Sequence, residues 1–215
     1  IIQKCEVTGF RTCGGRIEGV ETTRGFIGAP QGALAVAGQS TYLGNMLGVR
    51  LPIDSHPLQA WVSEPLKPML STVFASADYQ FYMSQSDKGE LVIGADRDPY
   101  NSFIQRGSLH HIKDGLAGAI QLFPTLSRVK MLRQWAGTIE HTPDHSPIIT
   151  KLPIEGIYLN GGWGTGGFKA TPGSGFVYAD SIANDRLHPL AAPFSLNRFE
   201  TAHLVGEHLA AGGYS

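Results

Sequence analysis

The chain has 215 residues, 42% of them hydrophobic, with 17 Lys plus Arg against 18 Asp plus Glu and a formal net charge of -1. This is enough apolar material to bury a core as one domain or two small ones, and the balanced charge excludes the basic footprint of a nucleic-acid binder. No apolar run is long enough to span a bilayer and no signal peptide opens the chain, so a soluble, cytoplasmic protein without membrane partners is expected.

The chain opens on "IIQKCEVTGF", which has no initiator methionine and reads as a strand already under way, so a piece of a longer polypeptide is expected. Cys5 and Cys13 make neither a disulfide framework nor a zinc ligand set, and both read as plain thiols. Short strands follow, with a hairpin at Gly14-Gly15. "ALAVAG" (33–38) suits a strand buried on both faces, and "STYLGNMLG" a short helix with Ser40 as its N-cap.

After Pro52 and Pro57 the pattern alternates, and "LQAWVSE", "YQFYMSQ" and "ELVIGAD" read as an antiparallel sheet with Asp87-Lys88-Gly89 as a tight turn. In residues 108–123 the spacing of Leu109, Ile112, Leu116, Ile120 and Phe123 predicts a helix that Pro124 stops. "RVKMLRQWAGTIEHT" returns to strand. The last third gives a strand over 157–160, a glycine-rich turn, and a helix over 172–184 with Thr171 as N-cap and Pro172 at its first position. An extended, proline-punctuated segment, "LHPLAAPFSLNRF", precedes a short closing helix in "ETAHLVGEHLAA". These elements imply an α/β fold with an antiparallel sheet inserted between two α/β segments. The boundaries read as 1–50 and 141–186 for the α/β segments, 51–140 for the antiparallel sheet with its helix and 187–215 for a tail that packs on other chains.

The turn "NGGWGTGGFKATPGSG" (160–175) holds a G-x-G-x-x-G at Gly162, Gly164 and Gly167. A dinucleotide fingerprint also needs a second strand ending in Asp or Glu about 20 residues on. Prolines interrupt that stretch, so the phosphate-cradle reading fails. A plain chain reversal needs one or two glycines, not seven in sixteen residues. Such density lets the backbone press against a flat ligand while the following helix aims its amides and positive dipole end at it. A flavin ring fits, because its pyrimidine end gains negative charge on reduction. Lys169 adds a positive charge beside the turn.

Other candidates carry less. His141 and His145 have zinc-helix spacing but Pro143 lies between them, so no metal site is expected. "GQST" lacks the last glycine of a nucleophile elbow. His110-His111 read as helix-surface or packing residues, Asp144 as a turn residue capping backbone amides with a direct flavin contact as the lesser alternative, and Trp163 as either core or a wall of the flavin site.

The stretches "LPIDSHPLQAWVSEP", "TPDHSPII", "GGWGTGGFKATPGSG" and "HPLAAPFSLNRFETAHLVGEH" resemble the flavin-dependent amine oxidases of the D-amino-acid-oxidase superfamily, and among them the beta subunits of heterotetrameric sarcosine oxidases. The resemblance implies the C-terminal half of such a subunit, with an α/β fold of the FAD/NAD(P)-binding, Rossmann-like kind in which 1–50 and 141–186 are nucleotide-binding segments and 51–140 the inserted antiparallel substrate domain, with non-covalent FAD, and with covalent FMN attached outside this segment. It further implies alpha, gamma and delta partner subunits carrying tetrahydrofolate and NAD sites, and a missing N-terminal half of the same subunit. Val7 falls on a strand meeting the adenine, and Ala37 and Gly38 on one passing the pyrophosphate. Gly161, Gly162, Trp163, Gly164, Thr165, Gly166, Gly167, Phe168 and Lys169 line the isoalloxazine, and Lys169 matches the catalytic, substrate-binding lysine that pairs with the amino-acid carboxylate. Val92 and Asp96 stand where the monomeric relative has an oxygen-reactive lysine and a histidine, so electrons are expected to leave FAD for the second flavin.

The implied reaction is oxidative demethylation of sarcosine to glycine, with hydride passing to FAD. Formaldehyde or methylene-tetrahydrofolate and hydrogen peroxide would form. A related glycine, D-amino-acid, dimethylglycine or proline oxidoreductase shares these features, and a third reading takes the chain alone as a structural and interaction module that cannot hold FAD.

Overall fold

The computed structural model of the chain describes residues 1–206, apart from the side chain of Asp96. Two compact units form. One comprises Ile1–Asp54 and the described residues from Glu140 onward, the other Ser55–Ile139.

The first unit opens with an antiparallel sheet of β1 (Val7–Cys13), β2 (Arg16–Thr22) and β3 (Gly25–Gly28). Gly14 and Gly15 turn β1 into β2 with φ of 56° and 80°, a left-handed pair that side chains disfavour. The apolar run 33–38 forms only a short strand, β4 (Gly32–Leu34), of which Leu34 alone is buried; Ala33 and Ala35 are exposed, so the expectation of burial on both faces fails. Ala37 then adopts a positive φ of 45° and begins a 3-10 turn leading into α1 (Ser40–Met46). Ser40 is the first residue of that helix and not its N-cap, because its hydroxyl turns back to donate to the Ala37 carbonyl.

The second unit is a five-stranded sheet in the order β6-β7-β8-β5-β9, built from β5 (Asp54–Pro65), β6 (Phe74–Ser76), β7 (Phe81–Gln85), β8 (Glu90–Arg97) and β9 (Met131–His141). β5 begins at the last residue of the first unit and β9 returns the chain to it. The sheet's one face is covered by α2 (Leu109–Leu122), and Trp61, Phe81, Met83, Leu91, Ile93 and Ala119 form that core. Ser108 caps α2, its hydroxyl accepting from the His111 amide. The buried Gln59 side chain ties the layers together: it donates to Asp98 and to the Ser108 hydroxyl, and accepts from the Ser108 amide at 2.9 Å and from Gln134 at 2.7 Å. His111 pairs with Asp98 in the same network.

The chain then completes the first unit with β10 (Ile148–Lys151), β11 (Ile157–Gly161) and α3 (Gly167–Ala183). The sheet order is β10-β11-β4, with β11 parallel to β4 and antiparallel to β10. Along β11 the side chains alternate between two cores. Ile157 and Leu159 pack with Leu34, Leu43, Leu51 and Ile148, while Tyr158 packs with Val177 and Tyr178 of α3. All three are fully buried, and burying each such side chain contributes about 1.5–3 kcal/mol.

α3 starts at Gly167, not at Pro172. Thr171 therefore caps nothing; its hydroxyl donates to the Gly167 carbonyl inside the first turns. Pro172 is accommodated within the helix, where its missing N–H leaves only the Phe168 carbonyl without its helical donor. Residues 187–199 are not extended: two 3-10 turns, Pro189–Phe194 and Leu196–Phe199, form there. The expected closing helix is absent over residues 200–206, and its remainder lies outside the described residues. No described helix is long and apolar enough to cross a membrane.

Candidate functional site

In the first unit, the neighbouring parallel strands β4 and β11 end side by side. A crevice beyond the carboxyl ends of parallel strands is where α/β sheets hold ligands. The chain leaves β4 through Ala37 and Gly38, and leaves β11 through the glycine turn that runs straight into α3. All of the turn and its two flanks belong to this one unit.

The glycines of the turn are required by space and backbone conformation. Gly162 has φ 72°, and a Cβ there would lie 2.7 Å from the Thr142 methyl; Gly164 has φ 53°. A Cβ at Gly161 would approach Ser40 Oγ to 3.0 Å. Trp163 is half-buried and donates from its indole to Asn160 at 2.7 Å, and the Gly166 amide closes a turn on the Trp163 carbonyl. Thr165, Phe168 and Lys169 are exposed, with Phe168 at 96%. Gly166 and Gly167 are half-buried at the start of α3, whose first amides and positive dipole end therefore adjoin the turn directly. The Lys169 ammonium has no carboxylate partner among the described residues. Gly38 is buried, and Val7, at the start of β1, is half-buried against the core that includes Leu34.

Two buried carboxyls lie among the described residues of this unit, of which Glu140 did not stand out in the sequence. Glu140, at the end of β9, is 3% exposed and accepts from the Gly162 amide at 2.5 Å. Ser40 hydrogen-bonds the same carboxyl. Burial pushes this carboxyl above its ordinary range, against the opposing bonds from Ser40 and Gly162. Asp144, read as a turn residue, does accept from the Ser146 amide, but its main partner is Arg198, which grips it at 2.7 and 2.9 Å. Burial alone would raise the Asp144 carboxyl; the Arg198 guanidinium and the amides of Val205 and Ser146 outweigh it and hold it below its ordinary value.

The His141 and His145 rings meet edge to face, 5.9 Å apart, and no group of three metal-ligating side chains exists among the described residues. In the second unit Val92 is half-buried on the sheet face turned away from α2, between strand neighbours Val62 and Ser84 and one pleat from Gly94, over which the Tyr82 ring lies.

A parallel-strand crevice closed by a glycine turn, a helix N-terminus and a buried acceptor defines a nucleotide-binding α/β protein. More narrowly, residues 1–181 match the FAD dependent oxidoreductase family, and the chain belongs to it. It is 54% identical over 211 residues to the sarcosine oxidase subunit beta of Arthrobacter sp, covering 98% of this chain and 52% of that protein. With the Rhodobacter capsulatus sarcosine oxidase subunit beta the identity is 52% over 212 residues, or 99% of this chain and 51% of the other. The chain thus spans about half the length of these curated relatives. Among solved structures, L-proline dehydrogenase from P. horikoshii superposes with a TM-score of 0.85 at 23% identity, covering 95% of this chain and 56% of that one. Glycine oxidase from Geobacillus kaustophilus gives 0.77 at 24%, covering 90% and 52%. Both share the fold.

Proposed function

We propose that this chain is the half of a flavin-dependent sarcosine oxidase beta subunit that lines the flavin ring and receives the amino-acid substrate. The observation that carries the reading is the glycine turn, whose positive-φ glycines bring backbone without side chains, and whose adjoining helix start brings its first amides, to the crevice beyond β4 and β11. The residues fit a flavin. Gly161, Gly162 and Gly164 permit close approach of a flat ring, Trp163 and Thr165 flank it, and the first helical amides, those of Gly167 and Phe168, face its electron-rich end. Val7, Ala37 and Gly38 serve the rest of a non-covalently held FAD. The 54% identity to a sarcosine oxidase subunit beta supports the substrate.

Bound FAD supplies the two-electron oxidation of the substrate's carbon–nitrogen bond. The protein's own contribution is placement. The Lys169 ammonium, exposed and without a carboxylate partner among the described residues, pairs with the substrate carboxylate, an attraction that grows as water is excluded. FMN, tetrahydrofolate, NAD and the other subunits complete the proposed assembly, in the cytoplasm. With Val92 and Asp96 in place of an oxygen-reactive lysine and histidine, electrons pass onward to the second flavin.

In the full-length polypeptide, sarcosine should drive peroxide release, and Lys169→Ala should raise the apparent sarcosine constant by tenfold or more, about 1.4 kcal/mol. An unchanged constant removes Lys169 from the substrate site. Turnover of D-amino acids or proline in preference to sarcosine would place the protein with its other oxidoreductase relatives.

A further inference from the structure

Glu140 is the only buried glutamate among the described residues. Its two carboxyl oxygens have different surroundings. Oε2 accepts from the Gly162 amide and lies where a Cβ on Gly161 would come within 3.3 Å of it. Ser40, two residues beyond Gly38, reaches the carboxyl with its backbone amide, while its hydroxyl proton is donated to the Ala37 carbonyl. Glu140 thereby clasps the two strand exits, Ala37 to Ser40 on one side and Gly161 to Gly162 on the other. Oε1 is buried and has no hydrogen-bond partner among the described residues.

An unpaired buried acceptor is rare, because nearly all such groups in folded proteins find a donor. Its position explains it: Oε1 belongs to the side chain that bridges the carboxyl ends of β4 and β11, where an α/β sheet receives its ligand. Nothing apolar is placed there in its stead, although a leucine would fill similar volume without an orphaned oxygen. The clasp alone uses only Oε2 and leaves the retention of a second oxygen unaccounted for.

We propose that Glu140 is a cofactor-positioning residue whose Oε1 accepts a hydrogen bond from a hydroxyl or N–H of the bound flavin nucleotide while Oε2 fixes the glycine turn against it. This rests on the flavin reading above. A flavin nucleotide offers two donors of this kind, its ribityl hydroxyls and the imide N–H of its ring.

Glu140→Gln separates the two jobs. A glutamine has one carbonyl oxygen, so it satisfies either the Gly162 amide or the ligand, and its NH2 meets a donor at the other position. In the full-length polypeptide, FAD affinity read by quenching of flavin fluorescence should fall at least tenfold, while the flavin-free variant melts within a few degrees of wild type. FAD affinity within twofold of wild type would overturn the proposal. Wild-type protein that binds no FAD would overturn instead the flavin reading on which it rests.

A second measurement needs no variant to fold. With 13C-labelled glutamate, the infrared difference between FAD-bound and flavin-free wild-type protein should show a buried carboxyl band that shifts on binding; a band that does not move overturns the proposal. FAD methylated at the imide nitrogen identifies the donor. If it binds wild type as weakly as FAD binds Glu140→Gln, the ring N–H is the donor, and undiminished binding assigns a ribityl hydroxyl.

Discussion

Replacing Arg198 with leucine removes the guanidinium from a carboxylate that has almost no water. The two side chains are 3% and 2% exposed. Arg198 Nε and Nη2 donate to Asp144 at 2.7 and 2.9 Å, Nη2 also donates to the Ser146 carbonyl at 2.8 Å, and Nη1 reaches the Ser195 carbonyl at 3.3 Å. Asp144 keeps only the amides of Val205 and Ser146, at 3.0 and 3.3 Å. Breaking a buried pair by deleting one partner costs about 3–5 kcal/mol. At about 2–4 °C per kcal/mol for a chain of this size, the melting temperature should fall by roughly 6–20 °C. The sign with pH follows from the depressed Asp144 carboxyl. Its contribution is full above the unfolded carboxylate value and is lost as pH falls through the lower folded one. Urea unfolding of wild type and Arg198→Leu should therefore show a gap that is widest near neutrality and narrows in acid. Asp144→Leu combined with Arg198→Leu should recover part of the loss, since no lone charge then remains. A neutral-pH gap below about 1 kcal/mol, typical of exposed pairs, would refute the claim that this pair locks the 143–147 turn to the C-terminal segment.

Other substitutions test the remaining structure. Gly162→Ala forces a side chain into φ 72° with its Cβ 2.7 Å from Thr142, and should destabilise by at least the ~1–2 kcal/mol of a left-handed residue while weakening FAD binding in the flavin-fluorescence titration. Gln59→Leu leaves the half-buried Ser108 amide without its acceptor and takes one donor from the buried Asp98 carboxyl, which keeps His111; at about 1–3 kcal/mol for an unsatisfied buried group, chemical denaturation should report a loss in that range, and a neutral effect would show that water replaces the amide. Gly94→Val drives a side chain into the Tyr82 ring, whose atoms lie 2.1 Å from an added Cβ, and near-ultraviolet circular dichroism should register the displaced tyrosine.

The sheet unit was legible because its signals are local. Alternation in "YQFYMSQ" and "ELVIGAD" around Asp87-Lys88-Gly89 fixes a hairpin, and Ser108, the apolar spacing and Pro124 bound α2 within a residue. Boundaries failed where two local signals competed. Thr171-Pro172 carries the composition of a helix start, yet the chain was already helical from Gly167, since glycines at 166–167 place no side chain in the way and the turn's own hydrogen bonds launch the helix. Ser40 likewise has capping chemistry but spends its hydroxyl on Ala37.

At the crevice, the glycines declared themselves by density, whereas Glu140, Arg198 and Thr142 did not. Their roles come from partners distant in the chain: Glu140 meets Ser40 across 100 positions, and Asp144 meets Arg198 across 54. A glutamate inside the strand pattern "AGTIEHT", at a position that proves buried, was the available hint, because such a residue must have a polar partner.

The central claim is that the glycine turn serves a flavin that oxidises sarcosine. The most direct test is the visible absorption spectrum of the purified full-length polypeptide, followed by anaerobic addition of sarcosine. Flavin bands that bleach on addition, and bleach only at much higher sarcosine in Lys169→Ala, are the predicted result. Flavin bands that sarcosine leaves unchanged at any concentration would contradict it.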